Sequence, residues 1–92
     1  MTKAKTIKQF NELIKLLDKV TDATGHVGIA LQATAYIKDY ILGNFPDLSD
    51  QLYNDPFYSY FQNVTNDLHS PFPIQKMAVK NALEGYKRYL SS

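Results

Sequence analysis

The spacing of the apolar residues constrains the fold of this chain more than any other feature of its sequence. Successive side chains of an α-helix are rotated by about 100°, so apolar residues three or four positions apart share one face. Four segments have this spacing, at about residues 4–22, 26–43, 56–68 and 73–90. The pattern predicts an all-α protein.

The first two segments predict a surface helix and a more deeply buried one. Residues 4–22 place their lysines opposite an apolar face made of Ile7, Phe10, Leu13, Ile14, Leu17 and Val20. Residues 26–43 are apolar over a much wider sector. We expect Gly25 to end the first helix in a left-handed conformation, Gly28 to allow close packing of the second, and Pro46 to prevent the second from continuing.

The third and fourth segments have clear starting signals. Asp55 is a suitable N-cap and Pro56 suits the first helical position, where its missing N–H would have no partner. On these two helices the spacing predicts two buried faces. One consists of Phe57, Phe61, Val64 and Leu68, and the other of Ile74, Ala78, Ala82, Tyr86 and Tyr89, with Val79 and Leu90 beside it. The small residues Ala78, Ala82 and Gly85 should let a neighbouring helix approach closely.

Ninety-two residues are enough for one domain with one core, spanning residues 1–92. Short connections between helices favour antiparallel neighbours. The sequence therefore predicts an antiparallel up-down four-helix bundle, and an additional short helical turn fits residues 47–53.

The chemistry needed for catalysis or metal binding is sparse. The chain has no cysteine, and its two histidines, His26 and His69, have no acidic residue at the spacing of a two-ligand helix face. Histidines near helix ends are usually solvated. The glycines do not fall at the spacings of phosphate-binding or nucleophile motifs. We therefore predict no catalytic residue, no metal site and no cofactor.

The expected compartment is the cytoplasm. A chain without cysteine fits a reducing compartment, and the basic start "MTKAKTIKQFNELIKLL" lacks an apolar run as long as a signal peptide requires. No segment has the length and hydropathy expected of a transmembrane helix.

Charge is unevenly distributed along the chain, although the net charge is only +1. Residues 39–69 contain five aspartates and no basic residue, whereas the segments on either side are basic. One candidate basic face on the fourth helix consists of Lys76, Lys80, Lys87 and Arg88. Such a face could bind nucleic acid or an anionic surface. A solvated lysine face explains it better, because the chain has one arginine and no exposed aromatic residues are expected to interleave with the lysines on that face.

The stretch "LYNDPFYSYFQNV" concentrates five aromatic rings between Tyr53 and Phe61. Two or three rings belong to the predicted core, but Tyr53 and Tyr58 are not required by its spacing. They would lie in the acidic region with three aspartates, which are Asp47, Asp50 and Asp55. Tyrosine is enriched at interfaces, and an acidic patch suits a cationic peptide or protein. The alternative is that these tyrosines only border the core.

Three segments, "PDLSDQLYNDP", "FYSYFQNVTNDL" and "IQKMAVKNALEGYKRYL", give the chain a layout that resembles the immunity proteins of pediocin-like (enterocin A type) bacteriocins. The resemblance is one of size and helical arrangement over most of the chain. It implies a cytosolic helical bundle that protects a producing cell against a cationic peptide. In that family the C-terminal part usually decides which peptide is recognised. Because this sequence reaches "YLSS" directly after its last predicted helix, no functional residue is carried over.

Three functions therefore stay open. The leading one is a small non-enzymatic module that binds a protein or peptide, with bacteriocin immunity as its specific form. The second is binding to nucleic acid or an anionic surface through the lysine-rich faces. The third is a phage or regulatory interaction protein that forms a homodimer through the wide apolar sector of its fourth helix.

Overall fold

The computed structural model describes residues 2–44, 52, 54–66 and 71–91. These residues form four α-helices and contain no strand, which confirms the predicted all-α fold. The helices are α1 (Lys3–Leu17), α2 (Ala23–Asn44), α3 (Pro56–Asn66) and α4 (Phe72–Ser91). Of the turn predicted at residues 47–53, only Leu52 lies within the described residues, and its side chain is buried.

Contacts between the helices give their directions. Phe10 of α1 stacks on Tyr86 near the end of α4, with ring centroids 4.9 Å apart. Just after α1, the carbonyl of Val20 accepts a hydrogen bond from Lys76 Nζ, near the start of α4, at 2.8 Å. Residue numbers thus rise along α1 as they fall along α4, so these two helices are antiparallel.

The remaining two helices complete an up-down arrangement. At the start of α3, Phe57 contacts the rings of Tyr86 and Tyr89 near the end of α4, so α3 is also antiparallel to α4. At the start of α2, His26 pairs with Gln75 at the start of α4, so α2 and α4 run the same way. Each of α2 and α4 contacts the other three helices, which places α1 and α3 diagonally across the bundle.

The core has an aromatic centre that joins the diagonal helices. Phe10 and Phe61 have no exposed surface, and their rings meet edge to face at 6.4 Å between centroids. Tyr86 stacks on the other side of Phe10 and is almost fully buried. The predicted burial of Phe61 and Val64 on α3 is confirmed, Phe57 packs half-buried against the core, and Leu68 lies outside the described residues.

Local signals explain where the helices begin and end. Asp55 Oδ1 accepts the backbone N–H groups of Phe57 and Tyr58, both at 2.9 Å, which confirms it as the N-cap of α3. The expected role of Gly25 was wrong. α1 already ends at Leu17, and Gly25 lies inside α2, where its N–H bonds to the carboxylate of Asp22 at 3.1 Å.

Gly25 and Gly28, near the start of α2, have opposite surroundings. A Cβ at Gly25 would lie 2.6 Å from Cγ1 of Val20, so the absence of a side chain is what lets the linker pack there. A Cβ at Gly28 would meet nothing within 4 Å. The close packing expected at Gly28 was therefore wrong, and it occurs at Gly25 instead.

The buried face of α4 differs from the predicted one. Its buried residues are Gln75, Val79, Leu83, Tyr86 and Leu90. By contrast, Ile74 and Tyr89 are 62% and 57% exposed. The predicted burial of Tyr86, Val79 and Leu90 is confirmed, whereas that of Ile74 and Tyr89 was wrong. Gln75 is buried although the sequence did not predict it, and the pairing of its side chain with His26 compensates for the cost of burying it.

Candidate binding surface

The predicted acidic, tyrosine-rich patch is only partly described. Asp47, Asp50 and Tyr53 lie outside the described residues. Asp55 is 8% exposed, and its carboxylate caps α3, so the structure corrects its expected placement on an exposed contact surface. Burial raises the pKa of Asp55, and the N–H groups of Tyr58 and Phe57 partly oppose that shift.

Tyr58 lies at the edge of the core. Its side chain is half-buried and packs against the buried cluster, while its hydroxyl accepts a hydrogen bond from Gln62 Nε2 at 3.0 Å. The ring is therefore part packing and part surface, as both predictions for this stretch allow. Its neighbour Tyr60 is the more exposed of the two, at 38%.

The predicted basic face on α4 is divided by its contacts. Lys76 donates to the carbonyl of Val20, and Lys80 lies 3.5 Å from a carboxylate oxygen of Asp18 in an exposed ion pair. These two ammonium groups thus hold the end of α1 and its linker. The other two basic residues, Lys87 and Arg88, lie further along the helix beside Glu84 and Ser91. This division weakens the case for a continuous phosphate-binding face.

The structure reveals a groove beside the apolar sector of α4, for which the sequence had left a homodimer contact open. A groove of about 480 Å³ runs between α3 and α4, and we call it the α3–α4 groove. Its lining comprises Pro56, Phe57, Tyr60, Ala78, Asn81 and Ala82. Small side chains from α4 and aromatic side chains from α3 thus meet along it. At its end, a Cβ on Gly85 would lie only 3.2 Å from Cε1 of Phe57, which confirms the close approach predicted there.

Exposed apolar side chains border the α3–α4 groove. Ile74 and Met77 are 62% and 66% exposed. Ile74 lies four residues before the lining residue Ala78, and Met77 lies four residues before Asn81, so all four share one face of α4. Tyr89 borders the other end. We call Ile74 and Met77 the rim. The signal that could have revealed the groove is that α4 carries more apolar residues than one buried stripe requires.

The groove and its rim are also free of charge. No Asp, Glu, Lys or Arg occurs in the sequence of α3, and the residues that α4 contributes to lining and rim are all neutral. Interfaces between proteins show the same composition at their centres, where charged residues are depleted and aromatic residues and Met are enriched. The surface is therefore suited to bind a polypeptide.

A second unexpected feature lies in the interior. His26, expected to be solvated, is 1% exposed, and its Nε2 lies 2.5 Å from Oε1 of Gln75. The ring also lies against Phe72, with centroids 5.6 Å apart, and Nδ1 has no hydrogen-bond partner. This pair links the starts of α2 and α4. Within the described part of the chain, no three His, Asp or Glu side chains are grouped so that they could hold a metal ion.

Among the described residues, no helix combines the length and the hydropathy needed to cross a bilayer.

The chain matches no protein-family model, and neither a curated protein nor a solved structure gives a significant match to it. The geometry of the surface and the sequence itself therefore carry the functional argument.

Proposed function

We propose that this protein is a non-enzymatic module that acts by binding another polypeptide through the α3–α4 groove and its rim. The observation that carries the proposal is the exposure of Ile74 and Met77 beside an uncharged groove with aromatic walls. Exposed apolar patches of this kind on small proteins commonly mark sites of interaction. Aromatic walls supply a large contact area at a small cost in side-chain entropy.

The specific form that we propose for this activity is immunity to a pediocin-like bacteriocin in the cytoplasm of a producing cell. The similarity in size and helical layout supports it, and so does the acidic middle of the sequence, which complements a cationic peptide. Asp39, exposed on α2, belongs to that acidic region. The aspartates would attract the cationic peptide, and the groove would bind a polypeptide through apolar contact.

The test is protection of a sensitive cell. The chain is expressed in a strain that a pediocin-like peptide kills, and the inhibitory peptide concentration is measured with and without expression. We expect protection from the wild type, and none from Met77→Lys, because a lysine on the rim would place a charge against an apolar partner. Leu31→Lys is the matched control, since Leu31 is a similarly exposed apolar residue, at 55%, outside the groove.

The outcomes separate two parts of the proposal. No protection by the well-folded wild type against a panel of such peptides would reject the immunity function. Equal protection by wild type, Met77→Lys and Leu31→Lys would reject the groove as the binding surface. Circular dichroism of each variant shows that the fold is retained, as the exposure of both positions leads us to expect.

A further inference from the structure

We propose that the α3–α4 groove binds the same groove of a second copy of this chain, with the two α4 helices antiparallel across a two-fold axis. The inference rests on the proposed function, because it names the polypeptide that the groove binds. Three properties of the surface support it: its charge, its shape and the order of large and small residues along α4.

Charge favours a second copy over a cationic partner at this surface. A two-fold interface brings a patch against itself, so a patch of one charge would repel its own copy, whereas a neutral patch does not. The lining and the rim are neutral. The carboxylate closest in sequence, Asp55, precedes the lining residue Pro56 but is buried as a cap, so no lining residue offers a cationic occupant an exposed carboxylate.

Shape is the second property. In a two-fold interface, residue i of one copy contacts residue j of the other, and j contacts i. A surface fits itself in this way when it carries a ridge beside a groove, because each ridge can then fill the groove of the other copy. The rim residues Ile74 and Met77 form such a ridge, and the groove starts one turn further along α4 at Ala78.

The order of residues along α4 fixes a register. If the axis passes midway between Ala78 and Asn81, those two residues face each other across the interface. In the same register Met77 faces Ala82, so a bulky side chain is opposite a small one. Ile74 faces Gly85, where the ring of Phe57 already fills the adjacent space, so Ile74 would pack on that ring. Large residues packed against small ones let helices approach closely and fill the space between them. A parallel pairing would instead place Ile74 against Ile74.

The ends of the stripe are compatible with this register. Ile74 would lie on the ring of Phe57, which packs on Tyr89 with centroids 5.7 Å apart. The guanidinium of Arg88 is also near, with Nη2 4.0 Å from the position of a Cβ on Gly85. Arg88 is the charged residue at the end of the stripe, and the register places it opposite Pro71, just outside the partner's helix. The neutral contact would thus extend over about three turns of α4, or about 16 Å.

The first experiment measures mass in solution as a function of concentration. Light scattering and sedimentation of the wild-type chain, from about 10 μM to about 1 mM, should show conversion of monomer to dimer. Asn81→Lys and Asn81→Glu each place like charges near the axis, and each should raise the dissociation constant at least about tenfold. An equimolar mixture of the two variants should restore a dimer, now a heterodimer. Leu31→Lys should dimerise as the wild type does.

The second experiment tests the register. Because the chain has no cysteine, an introduced one is unique. Met77→Cys and Ala82→Cys are prepared separately, mixed and oxidised. The mixed disulfide between positions 77 and 82 should form in preference to either symmetric disulfide, because the register brings these two positions together.

A wild-type chain that stays monomeric throughout, or a mixture of the two Asn81 variants that does not associate, would overturn the inference. A preference for symmetric disulfides would overturn the register. These results are separable from the proposed function. If the chain is monomeric and Met77→Lys still abolishes protection, the groove binds a different polypeptide. If the dimer forms and Met77→Lys protects normally, the immunity function does not use the groove.

Discussion

The buried carboxylate of Asp55 has two opposing effects on stability: it caps α3, and its charge is costly to bury. Replacing Asp55 separates these effects. Oδ1 of Asp55 accepts two backbone N–H groups at 2.9 Å, so Asp55→Ala leaves both donors without this partner. Loss of an N-cap costs about 0.5–2 kcal/mol, which for a chain of this length lowers Tm by roughly 3–10 °C. Asp55→Asn keeps an acceptor for the cap and removes the charge. It should therefore be much less harmful than the alanine variant.

The pH dependence of the Asp55→Asn comparison follows from the direction of the pKa shift. Burial raises the pKa of Asp55 in the folded state above its ordinary value of 3.8, so the folded state binds the proton more tightly than the unfolded state does. The stability that Asp55 contributes is therefore fully present below pH 3.8 and is lost as pH rises through the raised pKa. Relative to Asp55→Asn, the wild type should lose stability between about pH 3 and pH 7.

This reasoning is tested by thermal unfolding at about pH 3 and about pH 7, monitored by circular dichroism. All other titratable groups are shared by the wild type and Asp55→Asn, so the difference between their Tm values reports Asp55 alone. The opposite result would be a wild type that becomes more stable relative to Asp55→Asn as pH rises. It would mean that the two N–H donors and the α3 dipole stabilise the charged carboxylate by more than burial destabilises it, and the reasoning would be refuted. An unchanged Tm in Asp55→Ala would refute the capping role.

Two further pairs of variants test the packing of α2. Gly28→Ala should stabilise the fold by about 0.5–1 kcal/mol, because its Cβ meets open space and alanine favours a helix, whereas Gly25→Ala should destabilise it through overlap with Val20; equal Tm changes would contradict this contrast. Gln75→Leu should cost about 1–3 kcal/mol because it leaves buried His26 without its partner, and adding His26→Phe should recover most of that loss in denaturant unfolding. Additive losses in the double variant would show that the pair is not coupled.

Local signals in the sequence were sufficient for the elements of the fold. The Asp-Pro step predicted the start of α3 because a cap depends on residues within one turn of it. Periodicity likewise predicted four helices and much of their core. It predicted Phe10, Leu13 and Leu17 on α1 and Phe61 and Val64 on α3, but not the buried Thr6. These features could be predicted because they involve neighbours in sequence, or apolar residues whose preference for the interior needs no specific partner.

Features that depend on a distant partner could not be predicted. Burial of Gln75 requires His26, which lies 49 residues away, and a hydropathy pattern assigns both residues to the surface. Ile74 is exposed in the same helix. The sequence therefore predicted the burial of Tyr86, Val79 and Leu90 on α4 but not that of Gln75, and it did not predict the α3–α4 groove.

The exposure of Ile74 and Met77 follows from how a four-helix bundle is built. A helix on the outside of a bundle buries one stripe, and α4 uses that stripe for Gln75, Val79, Leu83, Tyr86 and Leu90. Apolar residues on a second face of the helix do not help the isolated monomer to fold, and they promote unwanted association. Folding requirements therefore account for Tyr86 and not for Met77, and the proposed contact with another polypeptide would account for the exposure of Met77 beside an uncharged groove. The measured mass of the wild type beside the Asn81 variants decides whether that polypeptide is a second copy of the chain.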